Sequence, residues 1–302
     1  MDCRIEDLMY TLDPATKELL KESAPLMAKW SVTECKPKPV GGMEEWAKEH
    51  AQAEDSLDCD WYHGTWQYLR LLNMVAVPPW YSFYNEALST ILRRKPDAHV
   101  LISACADYGM LATLHEAIKT AKTNPRVTIY DICQTPLLSC KWYAERFGVA
   151  IECVRDNIIT SPRMPLHAFD LIVTDEFLTV LKDAYKPQIV QRWKELLKPG
   201  GSIVTTAMLG GPTDQGLRDG YAATAHSLFK ANRATFDAMD VLPEDLSKRF
   251  SQFAQIHTRH MLGHENQIRT LFADFDLWLS RTVTPGECVN PTSSFQIVAT
   301  LP

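Results

Sequence analysis

The sequence predicts an α/β protein: a seven-stranded, mostly parallel sheet with helices on both faces, an antiparallel last strand and a helical N-terminal lid. Three observations predict it. From His99 onward, short apolar runs alternate with stretches of helical periodicity, the texture of parallel strands joined by helical crossovers. Near the C-terminal end the alternation breaks. Residues 275–284 and 293–301 read as two strands with only a loop between them, a hairpin that turns the last strand antiparallel. Residues 1 to about 96, by contrast, carry helical patterns and many aromatic side chains but no strand of that sheet.

In order along the chain, Asp13-Pro14 ahead of Ala15-Thr16-Lys17-Glu18-Leu19-Leu20 is a helix start, an acidic cap followed by proline in the first turn. Gly41-Gly42 opens a polar helix through Met43-Glu44-Glu45-Trp46, and residues 65–75 and 80–92 read as two helices split by Pro78-Pro79. Strands follow at residues 100–103, 127–131, 149–154, 170–174 and 202–206, with helices at 111–122, 137–147 and 187–197 between them. A long, mainly helical stretch at about 219–272 precedes the final hairpin.

Composition narrows the class. With 302 residues, 46% hydrophobic and 23% charged, the chain has ample apolar surface for one large core and an appendage. No run approaches the roughly 18 apolar residues of a membrane span, and the acidic start Met1-Asp2-Cys3-Arg4-Ile5-Glu6-Asp7 is unlike a signal peptide. A cytoplasmic protein is expected. The eight cysteines form no CxxC pair, so reduced thiols are the default, with Cys105, Cys133 and Cys153 acting as small buried apolar groups. The net charge of −6, with Arg93-Arg94-Lys95 the densest basic run, argues against a nucleic-acid partner. A homodimer is left open.

In an open parallel sheet, ligands bind beyond the C-terminal strand ends, so those residues carry the functional reading. The first strand runs into Ser103-Ala104-Cys105-Ala106-Asp107-Tyr108-Gly109, where small residues at 103, 104 and 106 let backbone approach a ligand. The second ends at Asp131, placed to accept the hydroxyls of a ribose or to stand as an exposed strand-end carboxylate. The third ends in Arg155-Asp156-Asn157, suited to an adenine edge or to a loop Asx turn. The fourth, Phe169-Asp170-Leu171-Ile172-Val173-Thr174, releases Asp175 and Glu176 into a loop. Leu196-Leu197-Lys198-Pro199-Gly200-Gly201-Ser202-Ile203-Val204 ends a helix, turns on Pro-Gly-Gly and enters a strand.

This order of pieces resembles the class I (Rossmann-like) SAM-dependent methyltransferase family over roughly residues 97–302, most specifically in the LKPGG-strand stretch. The resemblance implies S-adenosyl-L-methionine as cofactor. It implies that Asp131 with Ile132 holds the ribose, that Asp156 and Asn157 frame adenine, and that Ser103, Ala104, Ala106 and Thr174 border the methionine arm. It divides the chain into a lid and substrate segment at 1–96 and a SAM-binding body at 97–302 with a helical insertion at about 208–260. The first turn departs from the family pattern: Ile102 replaces its acid, Ala104 and Ala106 replace glycines, and Gly109 comes one place late. SAM carries no phosphate, so alanine there is tolerable.

Methyl transfer to an O, N or C atom of a small-molecule acceptor asks for positioning and, where the acceptor pKa is high, a base. Glu176, Asp175 and His63 are the candidates. At helical spacing Tyr62, Trp66 and Arg70 share a face. That face suits cation–π contact with the sulfonium, with Arg70 on the SAM carboxylate, or else simple packing on the sheet edge. His257, His260 and His264, at i, i+3, i+7 on an expected helix, lack the acid of a metalloprotease motif, and no metal site is expected. Two rival readings are the same fold using SAM for aminocarboxypropyl transfer or cyclisation, motivated by Asp107 and Tyr108 near the methionine arm, and a non-catalytic binding subunit.

Overall fold

A computed structural model describes residues 12–34, 60–75, 77, 82–239, 241–283 and 293–302. The helix expected after Gly41-Gly42, and Trp46, Pro78-Pro79 and Trp80, lie outside the described residues.

The fold is the α/β arrangement the sequence predicts. Among the described residues, three helices come first: α1 (Pro14–Thr33), α2 (Asp60–Leu71) and α3 (Ser82–Arg94). The body follows as β1 (His99–Ser103), α4 (Gly109–Ala121), β2 (Arg126–Asp131), α5 (Gln134–Phe147), β3 (Glu152–Arg155), β4 (Phe169–Val173), α6 (Phe177–Val180), α7 (Lys186–Leu196) and β5 (Leu197–Leu209). An insertion of α8 (Gln215–Ala231), α9 (Arg233–Asp237), α10 (Pro243–Ile256) and α11 (Glu265–Leu271) leads to β6 (Asp276–Val283) and β7 (Ser293–Thr300). The sheet order is β3-β2-β1-β4-β5-β7-β6, and β7 runs antiparallel to both its neighbours while the β1–β5 pairings are parallel.

Local chemistry sets the boundaries. Asp13 caps α1 by accepting the Thr16 amide at 2.9 Å, with Pro14 at the first turn. Gly148 closes α5 in the left-handed conformation (φ 66), which is why the next strand starts at Glu152 and not at Val149. The Pro199-Gly200-Gly201 stretch is not a turn outside β5 but lies within it. The register against β4 shifts between Phe169 and Leu171, Gly200 takes φ 71, and a Cβ on Gly201 would sit 2.9 Å from the Lys198 carbonyl oxygen.

Strand alternation divides the core in two. Val100, Ile102, Val127, Ile129, Leu171 and Val173 face one layer, shared with Leu20 of α1, Leu69 of α2 and Leu88 of α3. The N-terminal helices therefore belong to the same apolar cluster as the sheet. Leu101, Tyr130, Ile172 and Ile203 face the other layer, around Trp193 of α7.

The insertion is not one long helix. After α10 the chain runs extended through residues 257–261 and lies along the end of β5. Leu262 bridges Leu209, the His260 amide bonds the Thr179 carbonyl at 2.6 Å, and buried Lys186 bonds the His260 carbonyl at 2.5 Å. His257, His260 and His264 consequently do not share a helix face; His264 caps α11 instead. Arg218 holds the end of α10 by bonding the Gln255 and His257 carbonyls at 2.6 and 2.9 Å, a cation where the helix dipole favours one. Among the described residues, no helix is long and apolar enough to cross a membrane.

Gly201→Ala should destabilise the fold by about 1–3 kcal/mol, because the added methyl meets backbone, which cannot swing aside. Chemical denaturation measures this. Gly148→Ala, with open space around it, should lose only the smaller cost of a left-handed alanine, about 1 kcal/mol.

Candidate active site

The chain leaves β1 toward β2 and β3 on one side and returns to β4 on the other, so the topological switch point lies between β1 and β4. The crevice beyond their C-terminal ends is the default ligand site of such a sheet. Two backbone outliers flank it. Ala104, just past β1, has φ 66, and Glu176, just past β4, has φ 50. Non-glycine residues pay about 1–2 kcal/mol for that conformation and cluster where geometry serves a ligand.

Asp131 closes β2 at the same rim. One carboxylate oxygen accepts the Cys105 amide at 2.9 Å, the other the Cys133 amide at 2.7 Å, so the β1 and β2 turns are joined through this side chain. It is only 7% exposed, and burial raises its pKa to about 7 even though both amides and Arg155 pull the other way. Ala104, Cys105, Ala106, Ile132, Cys133 and Gln134 around it remain half-buried, lining an accessible edge. His63 of α2 reaches this edge: its Nδ1 lies 3.0 Å from the Ala106 carbonyl oxygen. Burial lowers its pKa to about 4, so the ring is neutral near pH 7.

Arg70 is turned inward onto the protein. It is 1% exposed and forms a buried ion pair with Asp107. Asp107 also accepts Gln67 Nε2 at 3.1 Å and its own turn's Gly109 amide at 2.7 Å, while Ser23 of α1 donates to Gln67 at 2.7 Å. The Arg70 guanidinium lies 5.3 Å over the Tyr108 ring. The expected contact of Arg70 with a cofactor carboxylate is thus replaced by a tie between α2 and the β1–α4 turn.

Three other expected contacts are also redirected. Ser103 is fully buried, and its hydroxyl accepts the Trp193 indole at 2.8 Å on the far face of the sheet. Asp156 accepts Ser161 Oγ at 2.6 Å, Arg163 Nε at 2.8 Å and the Asn157 amide at 2.9 Å. Burial opposes its ionisation, but these donors prevail and hold its pKa below the usual carboxylate value. Asn157 turns its side-chain oxygen onto the Ile159 amide at 3.0 Å, an Asx turn. Both side chains shape the β3 loop instead of reaching out of it.

Asp175 and Glu176 stand together at the end of β4. Asp175 Oδ1 accepts Tyr84 Oη and Thr206 Oγ1, each at 2.8 Å. Glu176 accepts Thr179 Oγ1 at 2.7 Å and Ser294 Oγ at 3.0 Å. Burial raises both pKa values, and the Asp175 charge pushes Glu176 further up. The pair retains a proton near neutrality. Thr174, just before them, is fully buried with its Oγ1 lacking a partner among the described residues.

Opposite the strand ends stands an aromatic wall from α2, α8 and α10. Tyr62 stacks on Trp66 (5.1 Å between centroids) and on Phe253 (5.7 Å), Tyr221 stacks on Phe253 (5.9 Å), and His257 lies 4.8 Å from Phe253. Burial first, then the charges of Asp107, Asp131 and Asp175, raise the Tyr62 pKa. Tyr62, His63 and Trp66 of α2, Ala104, Ala106, Asp131 and Ile132 at the β1 and β2 turns, and Asp175 and Glu176 past β4 thus gather at the C-terminal end of the sheet. Tyr84, Thr206, Ser294 and Cys133 join them without having been singled out. For Tyr84 the only sequence signal was its place in the aromatic segment.

No protein-family profile and no curated protein sequence matches the chain. Solved structures do. A SAM-dependent methyltransferase from Methanosarcina mazei is 17% identical, with 68% of this chain and 93% of that one aligned at a TM-score of 0.47. One from Aquifex aeolicus is 14% identical over 78% and 93%, at 0.44. A possible exported protein from Bordetella parapertussis is 16% identical over 97% and 100%, at 0.47. None assigns a role to a residue of this chain.

The pKa shifts make stability depend on pH in a defined way. Asp131, Asp175 and Glu176 keep protons in the folded state that the unfolded chain releases. Their contribution is full below the ordinary carboxylate values and is lost as pH rises from there through about 6 for Asp175, about 7 for Asp131 and about 8 for Glu176. His63 and His257, depressed to about 4 and about 3 by burial, act in the opposite sense, but only below their ordinary value of 6.5. The melting temperature should therefore fall between pH 6.5 and 8, and Glu176→Gln should flatten that slope. A melting temperature rising over this interval contradicts the assignment.

Proposed function

We propose that the chain is a SAM-dependent methyltransferase acting on a small molecule. The observation that carries this reading is Asp131, held at the rim of β2 by two backbone amides beside the half-open Ala104–Ala106 turn. A carboxylate so placed accepts ribose hydroxyls. The turn beside it lacks the bare glycine backbone a pyrophosphate demands, which favours a nucleoside without phosphate. Residues 97–302 would form the cofactor body and residues 1–96 the lid and one acceptor wall. The insertion at about 208–260 would form the facing wall.

In this reading Asp131 orients the ribose, the main chain of Ala104 and Ala106 and the Ile132 turn border the cofactor, and Tyr62 and Trp66 cover it. SAM supplies an electrophilic methyl. The residues' task is to hold the acceptor in line and exclude water, which the stacked aromatic wall suits. Asp175 and Glu176 would take the proton that a hydroxyl or amine acceptor gives up as its bond to the methyl forms, with Tyr84 and Thr206 fixing Asp175. His63, neutral and bonded at the Asp131 edge, belongs with the cofactor side more than with the acceptor. Aminocarboxypropyl transfer or cyclisation was motivated by Asp107 and Tyr108 near the methionine arm; the pairing of Asp107 with Arg70 weighs toward methyl transfer.

Calorimetry with S-adenosylhomocysteine tests the reading. The wild type should bind, and Asp131→Ala should bind more weakly by about 1.5–3 kcal/mol, a lost hydrogen bond to a charged group. Unchanged affinity removes Asp131 from the site. With a turned-over acceptor in hand, Glu176→Gln should lower kcat by about 10²-fold or more while leaving S-adenosylhomocysteine affinity nearly unaltered.

A further inference from the structure

His63, Asp131 and Cys133 meet from two separate segments, α2 and the β2–α5 turn. They offer one nitrogen, one carboxylate oxygen and one sulfur, all within 4.8 Å of one another. Two details make the cluster more than a coincidence of side chains. The Ala106 carbonyl can only accept a hydrogen bond, so His63 Nδ1 carries the ring proton and Nε2 the lone pair. That is the arrangement in which metal-binding histidines are commonly held. Asp131 is likewise pre-oriented, by the Cys105 and Cys133 amides, and each of its oxygens has a further lone pair. All three side chains are buried or half-buried.

A mixed nitrogen, oxygen and sulfur set is that of Zn²⁺; Mg²⁺ and Ca²⁺ call for oxygen. Ligands about 2.0–2.3 Å from zinc stand about 3.5 Å apart in a tetrahedron. The trio must therefore close by about 1 Å, within reach of side-chain rotation.

We propose that His63, Asp131 and Cys133 bind one Zn²⁺ with water as fourth ligand, and that this ion and the cofactor nucleoside exclude each other because both need Asp131. On binding, the Cys133 thiol gives its proton to solvent and the thiolate ligates the ion. The ion bridges α2 to the sheet and holds the lid shut over the cleft. The exclusion half rests on the methyltransferase reading; the metal half does not.

The experiment is a Co²⁺ titration of the full chain, read by thiolate-to-cobalt charge-transfer absorption and reversed by Zn²⁺. One equivalent should produce the band. Cys133→Ser should abolish it, and His63→Gln should weaken Co²⁺ binding by about 10-fold or more, with both variants checked for unaltered melting. Cys133→Ala gives a second variant should the serine protein misfold. No band in the wild type, or a band that survives both changes at Cys133, overturns the site. S-adenosylhomocysteine should raise the apparent Co²⁺ dissociation constant in proportion to its concentration; simultaneous binding overturns the exclusion. If the band depends on Cys133 but S-adenosylhomocysteine does not bind at all, the metal site stands and the nucleoside reading fails.

Discussion

The buried ion pair between Arg70 and Asp107 is the contact on which the arrangement of this protein depends. It joins α2 to the turn leaving β1, across 37 residues of sequence. A charge pair taken out of water gains little net stability over an apolar substitute. Removing one partner, however, strands the other and costs about 3–5 kcal/mol. Further groups join the pair: Gln67 and the Gly109 amide add donors to Asp107, Ser23 fixes Gln67, and Tyr108 lies beneath the guanidinium. The result is specificity of placement. With Arg70 seated, Tyr62, His63 and Trp66 on the same helix are carried to the rim of the sheet. At Gly64 of the same helix, Ser31 of α1 and Arg249 of α10 pack so closely that a side chain there would collide with them unless they moved.

That placement gathers three buried carboxyl groups, Asp131, Asp175 and Glu176, at the C-terminal rim of the sheet, with Arg155 acting on Asp131. Burial shifts all three toward their protonated forms. Such a site gains from anything that brings hydroxyl donors, positive charge or a metal to it. A sulfonium nucleoside brings the first two, and the aromatic wall provides a dry boundary in which those interactions strengthen. The left-handed backbone at Ala104 and Glu176 is the local cost of turning both strand ends toward the same space.

The sheet was legible because period and punctuation are local. Strand and helix alternation, the Asp13-Pro14 cap, the final hairpin and the strand-end acid Asp131 all follow from neighbours in sequence. Ser103 could have been read better: with Val100 and Ile102 committed to one face, strand parity sends Ser103 to the other, where Trp193 takes it. Asp156 and Asn157 were ambiguous in principle, since an Asx residue followed by serine and arginine can satisfy itself within its own loop. Arg70 and Tyr84 were beyond sequence reasoning. Nothing local marks Arg70 as the partner of Asp107, or Tyr84 as the donor to Asp175 across 91 residues. The helix expected to carry the three histidines stops short for a related reason: α10 ends at Ile256, where Arg218 takes its last carbonyls, and spacing beyond that point no longer has helical meaning.

Hydrogen exchange of the wild-type protein with and without S-adenosylhomocysteine tests the coupling of α2 and the β1–α4 turn most directly. If α2 and the β1–α4 turn act as one unit over a nucleoside site, ligand should slow exchange together in residues 60–71 and 103–110 as well as around Asp131. Protection confined to the strand ends, with α2 exchanging as in the free protein, would contradict that account.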